Sequence, residues 1–556
     1  MQESPTDLHK RELRHLLAFL GLFVLAGGLT YLVPGAQRLQ PWRADEPVPL
    51  IHLLRSTVRV TVDSYGELSS RHDPEAAQVA EPRSANEDVQ HGDQQPGSRD
   101  AFLEAGPDPG PPPPPDRPPA ISTPLEVSDG AMDSLYTALA QLDSGERTGV
   151  IRVMHWGDST IAADGITGQV RRRLQERFGD GGPGFLAIEV DPRWGMRPGI
   201  VRTHTGDWST QTITFAGAAE NRYGLAGTVS TADEAASVLL AGLRIEGRRQ
   251  LLNRFDVHYQ SRPGAGSFEL RPQAGSPKEV STASEEVVDR FVSLSSSGGS
   301  RTLRLSTQGD GPVTLYGVSL ETQGPGITWE CLGVAGSSIA SMDKRQGRRH
   351  LAGQVRRREP SLLVYQTGGN ELTYPLLLKG EGEGYEQAYR RVLRMLRAGQ
   401  PEASCLVVGP LDQAMRERGK VVSKPALDRM IAVQRRAAKG EGCGFWDSRH
   451  AMGGEGGFAR WLYHEPAYAW SDLMHLSLGG LDLVGDTLAD ALLHSYELWR
   501  IETGLGPSPI RKSAGDTESS RESAAERAPA SPGEGPTPAS PAPRQSEPPA
   551  TRSLSD

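Results

Sequence analysis

Short apolar strands alternate with helices at both ends of the region 126–502, and between them lies a long run of strand-like segments alone. This arrangement restricts the fold more than any other feature. Gly149-Val150-Ile151-Arg152-Val153-Met154-His155-Trp156 reads as a strand, followed by a turn and a helix carrying Val170 to Phe178. After Pro325 the rhythm resumes with strands at Ile327–Leu332, Ser361–Gln366, Cys405–Val408 and Gly444–Trp446, and with helices at Tyr385–Leu396 and Lys424–Lys439. Such alternation implies a parallel sheet covered by helices on both faces. From about 190 to 325 strand-like segments follow in quick succession: 212–215, 236–243, 254–259, 267–270, 289–294, 300–306 and 313–320. Gly, Ser and Pro turns separate them, as in a β-sandwich. The expected architecture is an α/β domain with a β-domain inserted after its first strand and helix.

The ends of the chain differ in composition. Leu16–Val33 is an 18-residue stretch without a charge, long enough to span a bilayer as a helix. Lys10, Arg11 and Arg14 precede it and favour a cytoplasmic N-terminus. Val33-Pro34-Gly35-Ala36 lacks a cleavage pattern, so the segment reads as an uncleaved signal anchor. Leu50–Val62 suits a short helix or strand, but the following stretch 69–100 has almost no apolar residues, and the proline run Pro111–Pro115 comes after it. Residues 34–125 read as a disordered spacer. The polar stretch 503–556 reads as a disordered tail. The expected division is therefore 1–15 cytoplasmic, 16–33 anchor, 34–125 linker, 126–190 and 326–502 the two parts of the α/β domain, 191–325 the β-domain, and 503–556 the tail.

A net charge of −9 excludes a bulk electrostatic nucleic-acid binder, which needs a basic face to displace phosphate counterions. Three cysteines (Cys331, Cys405, Cys443) allow at most one bridge, form no CxxC pair, and read as buried; neither a metal nor a cofactor is expected.

Four motifs follow one another on the α/β part. Gly157-Asp158-Ser159 stands where a strand ends and a helix begins, at the carboxyl edge of the sheet, where open α/β folds place ligands. The Ser159 N–H at a helix start can face a developing oxyanion, although Asp and Ser there are also ordinary helix caps. Gly333-Val334-Ala335-Gly336-Ser337-Ser338 follows a strand and lets backbone N–H approach a substrate closely. Gly368-Gly369-Asn370-Glu371 offers an amide donor at another strand end. Asp472-Leu473-Met474-His475 can set a carboxylate against imidazole Nδ1 and leave Nε2 as a base for a serine elsewhere.

In this order and context the four motifs resemble the SGNH (GDSL-type) hydrolases. The resemblance implies a flavodoxin-like three-layer α/β/α sandwich with a Ser–His–Asp triad. Carried over by motif, Ser159 corresponds to the nucleophile, His475 to the base and Asp472 to its orienting partner. Ser159, Gly336 and Asn370 correspond to the oxyanion hole, with Gly333 as the other glycine its loop offers. Glu371 stands where the family often has Asp, and Thr160 where some members have His. His450 and His464, also near the last motif, read as surface or lining residues.

The stretches 164–185 and 444–461, together with the β-insertion that ends in GPVTLYGVSLETQGPGITWECLGVAG, are similar to bacterial O-acetylpeptidoglycan esterases. In that group the insertion resembles a carbohydrate-binding jelly roll. The resemblance implies a membrane-anchored periplasmic esterase that removes O-acetyl groups from peptidoglycan or another envelope glycan. Its partners would be the acetylated glycan and the inner membrane, with no nucleic acid. An O-acetyltransferase with the same triad, or a non-catalytic glycan binder, would share these motifs. All triad positions lie outside 191–325, so that insertion is expected to be dispensable for small esters.

Overall fold

Val150–Gly157 (β1) is the centre of the architecture because its two faces are buried against different layers. The computed structural model describes residues 120–509 except 190–196, 216, 243, 246–247, 250 and 374–378. The expected anchor at 16–33, the segment Leu50–Val62, the proline run and residues 510–556 lie outside the described residues. Among the described residues no helix is long and apolar enough to cross a membrane.

Four further strands, Gly326–Gly333 (β2), Leu362–Gln366 (β3), Ser404–Val408 (β4) and Gly444–Trp446 (β5), join β1 in a five-stranded sheet of order β2-β1-β3-β4-β5. All four pairings are parallel. This is the doubly wound order expected of a flavodoxin-like fold, and its strand ends form a crevice where the order reverses beside β1. Side chains alternate along β1. Ile151 and Val153 pack with the helices Asp133–Ser144 (α1), Gly165–Phe178 (α3) and Leu478–Glu502 (α8). Met154 and Trp156 pack on the other side, with Ile339–Arg345 (α4), Arg348–Arg358 (α5), Glu383–Arg397 (α6) and Ala426–Gly440 (α7). A single helical turn, Ser159–Ala162 (α2), follows β1 directly.

The inserted segment forms two antiparallel sheets around one apolar core. One sheet runs 278–281, 267–272, 302–307, 237–242, 200–205; the other runs 288–300, 252–261, 313–321, 228–232, 209–212. Val238, Leu240, Phe268 and Leu305 of the first meet Phe255, Val257, Leu315 and Val318 of the second. The expected β-sandwich is present, but its boundaries and its independence differ from expectation. Gly184–Leu186, assigned by sequence to the first α/β part, pairs antiparallel with Val318–Leu320. Positive φ at Gly182 and Gly184 turns the chain out of the α/β layer at that point. The segment 212–215 is a strand only to Thr212; Ile213–Phe215 turn away towards the parallel sheet.

The insertion is welded to the α/β domain. Ile213, Tyr223, Leu225, Val229 and Tyr316 belong to the same apolar cluster as Trp156, Ile339 and Leu351. Trp156 Nε1–H donates to Leu225 O at 2.8 Å. Buried charges cross the same boundary. Arg152 of β1 meets Glu321 at 2.6 Å, and Arg358 of α5 meets Glu321 at 2.8 Å as well as Glu330 of β2. Burial alone would raise the Glu321 carboxyl, but the two guanidinium groups more than offset it and hold it at about 2.

The folded part also extends beyond both expected ends. Ile121 N–H donates to Ala451 O at 2.8 Å, and Thr123 is buried with its carbonyl accepting Trp446 Nε1–H at 3.1 Å. Residues 120–125 are thus not linker; the proline-rich stretch just before them conceals a short segment docked through its backbone. At the other end Arg500 donates to Gly506 O at 3.0 Å, which folds the first residues of the expected tail back on α8.

Candidate active site

Ser159, His475 and Asp472, more than 300 residues apart in part, converge at the carboxyl edge of the sheet. Ser159 is the first residue of α2, where a backbone N–H lacks an intrahelical acceptor. Close packing puts it there. A Cβ on Gly157 would lie 2.4 Å from Ile161 Cγ1 and 2.7 Å from Gln366 O, and one on Gly333 would lie 2.2 Å from Ala162 N. Glycine at the ends of the paired strands β1 and β2 therefore lets α2 sit directly on the sheet. Asp158 caps α2, accepting the Thr160 N–H at 3.0 Å. The ordinary cap reading and the functional reading of GDS hold together.

His475 Nε2 lies 3.0 Å from Ser159 Oγ, and His475 Nδ1 lies 2.7 Å from Asp472 Oδ2. The ionised carboxylate only accepts, so the ring proton belongs on Nδ1 and Nε2 accepts from the serine hydroxyl. Local backbone bonds build this geometry. Asp472 Oδ1 accepts the N–H groups of Met474 (2.9 Å) and His475 (3.0 Å). Leu473 takes a left-handed φ of 62°, and Trp470 N–H donates to His475 O at 2.8 Å. Burial would raise the Asp472 carboxyl, but the imidazole and the two backbone donors outweigh it and hold the group below its usual range. Exposure is graded along the relay: Ser159 is 9% exposed, the His475 side chain 24% and that of Asp472 49%. Ser159 is the most buried of the three.

A hairpin without a local sequence signal supports this turn. Strands 414–417 and 420–423 are joined by Arg418 and Gly419, both at positive φ, as a two-residue hairpin turn requires. Ala414 N–H donates to Leu473 O at 2.9 Å.

The oxyanion candidates occupy two neighbouring loops. Gly336 has φ 76°, and Ser337 N–H donates to Val334 O at 3.0 Å, closing a tight turn after β2. Gly333 lies within β2 and serves packing, so Gly336 is the better placed glycine. One Nδ2–H of Asn370 is committed to Ser337 O at 2.7 Å; an amide carries two such hydrogens. His450 is exposed, whereas His464 is buried, its Nδ1 3.1 Å from Pro466 O and its ring against Tyr468. Neither joins the relay.

Two features take their role only from the packed structure. Glu371 is fully buried and accepts the Ile339 N–H at 2.6 Å and the Thr367 hydroxyl at 3.1 Å. Burial pushes its carboxyl up to about 7 against the pull of the Ile339 N–H, and Asp158 adds to the rise. The β-insertion also reaches the site. The Thr214 methyl lies 3.6 Å from where a Cβ on Gly336 would be, and the next residue, Phe215, is 76% exposed. Arg345 of α4 holds this loop through the Ile213 and Thr214 carbonyls. Contacts so distant in sequence leave no local pattern.

Among the described residues no three His, Cys, Asp or Glu side chains are grouped to hold a metal. Cys405 and Cys443 form a disulfide between β4 and the approach to β5, and Cys331 is a buried thiol.

A parallel sheet with a serine at its edge facing a His–Asp pair is the arrangement that serine hydrolysis in an α/β fold requires. Residues 295–483 match the GDSL-like lipase/acylhydrolase family. That stretch contains Asn370, Asp472 and His475; Ser159 lies on the far side of the inserted strands. A solved structure described as a peptidoglycan O-acetylesterase in action shares the fold, with a TM-score of 0.55 and 20% identity over 67% of this chain and 98% of that one. A family two carbohydrate esterase from Cellvibrio japonicus aligns at a TM-score of 0.21 and 10% identity, over 53% and 98% of the two chains. No curated protein sequence matches the chain. The family match over 295–483 and the shared fold support a carboxylic ester hydrolase that resembles the SGNH (GDSL-type) enzymes, O-acetylpeptidoglycan esterases among them.

Proposed function

We propose that this protein is a membrane-anchored periplasmic esterase that removes O-acetyl groups from peptidoglycan or a similar envelope glycan. The observation that carries the reading is the relay Ser159 Oγ–His475 Nε2 and His475 Nδ1–Asp472 at 3.0 and 2.7 Å. In the proposed mechanism His475 takes the Ser159 proton as Oγ attacks the acetyl carbonyl. Asp472 stabilises the imidazolium and keeps its orientation. The N–H groups of Ser159 and Gly336 and the Asn370 amide receive the tetrahedral oxyanion. The imidazolium then protonates the departing sugar hydroxyl, and water, deprotonated by His475, releases acetate from the acyl-enzyme.

Other features support the compartment and the substrate class. A disulfide suits an oxidising compartment, and the charge-free stretch 16–33 suits an anchor. Phe215 and Trp470 are exposed aromatic rings on the loops that abut Gly336 and carry the His475 turn. Such rings can stack on the C–H faces of sugars. The peptidoglycan O-acetylesterase that shares the fold points the same way.

The test is acetate release from O-acetylated peptidoglycan by the full-length protein in detergent. Wild type should release acetate, and Ser159→Ala should not. Full activity in Ser159→Ala, free of contaminating hydrolases, would refute the assignment. Acetate release that appears only as transfer to an added glycan acceptor would instead identify an acetyltransferase.

A further inference from the structure

Three consecutive residues after β3 each grip a different part of the site. Gly369 lies against the Asp158 carboxylate, next to the serine. The Asn370 amide donates to Ser337 O at 2.7 Å. The Glu371 carboxylate accepts the Ile339 N–H at 2.6 Å. The second and third contacts fall on residues 337 and 339, immediately after Gly336 and on either side of Ser338. Ser338 caps α4 by accepting the Ser341 N–H at 3.3 Å, so its own position depends on where α4 begins.

We propose that Glu371 is a positioning residue: by holding Ile339 it sets the Gly336–Ser338 turn against Asn370, and so fixes the spacing of the oxyanion donors. The proposal rests on the esterase reading above and names a residue that touches neither substrate nor triad. The geometry explains why the side chain is Glu. Ile339 N–H is the first donor of α4 and lacks an intrahelical acceptor. The bond is buried and Ile339 belongs to the apolar cluster on this face of the sheet, where water is not available to replace a lost partner. A carboxylate anchored by the Thr367 hydroxyl satisfies it, and the chain reversal at 367–371 brings that carboxylate to the same strand end as Asn370. A donor displaced by about 1 Å can cost roughly 10²-fold in rate, so a clamp acting only on geometry is measurable.

The experiment measures kcat and KM for a small acetyl ester in full-length protein, with Ser159→Ala as the inactive control. Glu371→Ala should lower kcat by roughly 10- to 10²-fold while KM changes less than about twofold. Glu371→Gln should retain most of the activity, because its amide oxygen still accepts the Ile339 N–H. Glu371→Asp should not, because the shorter side chain cannot reach. If the alanine variant fails to fold, the Gln and Asp variants decide the question between them. Asn370→Ala combined with Glu371→Ala should lose less than the product of the single losses, since both act on one oxyanion hole. Wild-type kcat in a folded Glu371→Ala or Glu371→Asp, equal losses in Gln and Ala, or fully multiplicative losses in the double variant would each overturn the proposal. Full activity in the Ser159→Ala control would instead refute the esterase reading and leave the role of Glu371 without a site to serve.

Discussion

Asp472 holds the imidazole with one oxygen and its own turn with the other. Asp472→Asn should preserve the turn through Oδ1 but allow the amide to donate to Nδ1, which favours the wrong tautomer. We expect kcat to fall by up to about 10⁴-fold, the cost of the equivalent change in serine proteases, with circular dichroism unchanged. Retained turnover would show that the carboxylate does not orient His475. Glu371 gives a second test through pH. Its carboxyl is raised from an ordinary 4.5 to about 7, with Asp158, Tyr365, Tyr385 and Tyr389 around it. The folded state therefore binds a proton that the unfolded chain releases between these values. The resulting stability is fully present below pH 4.5 and is lost as pH rises through 7, by roughly 3 kcal/mol. Glu371→Gln keeps the neutral form at every pH. Urea unfolding at pH 5 and pH 8 should show the variant gaining on wild type at the higher pH; an equal difference at both would contradict the shift. Glu321 acts in the opposite sense. Its carboxyl, held at about 2, contributes stability above 4.5 that is lost on acidification towards 2.

The β-insertion is an element whose role differs from its sequence reading. All triad and oxyanion candidates lie outside it, which suggests a detachable glycan tether. In the structure it supplies Tyr223, Leu225 and Tyr316 to the core beside Trp156, the partner Glu321 to two buried arginines, and Thr214 to the flank of Gly336. Removing it would expose apolar side chains worth about 1.5–3 kcal/mol each and leave Arg358 buried without Glu321 and Asp256, two of its three carboxylate partners. Deletion of 191–325 should therefore abolish small-ester hydrolysis together with cooperative unfolding. A deletion that stays folded and active would restore the view of the insertion as a mere tether. The hairpin 414–423 is a smaller case. It supports Leu473 by one backbone bond, and no periodicity in its charged sequence distinguishes it from a loop.

Across the whole molecule the Cys405–Cys443 bridge closes a 38-residue separation that contains the hairpin and α7. It restricts the unfolded chain, and bridges of this span contribute about 2–4 kcal/mol. Cys443→Ser should lower the urea midpoint of the oxidised protein, while reduced wild type and variant should unfold together. Equal midpoints under oxidising conditions would show that the bridge contributes nothing.

The doubly wound sheet was legible from the residues because strand–helix alternation is a local, periodic property, and Gly157-Asp158-Ser159 and Asp472–His475 were legible because each builds its geometry within one turn. The β-sandwich was legible as a run of short strands between turns. The two expected ends of the fold, the start of the insertion at Gly184, the clamp at Glu371 and the approach of Thr214 to Gly336 were not. Each depends on atoms brought together from distant parts of the chain: a backbone docked on a strand, a carboxylate on another loop's N–H, a methyl against a glycine. Local sequence carries propensity and pattern, whereas the burial and hydrogen bonding that give these residues their roles exist only once the layers have packed.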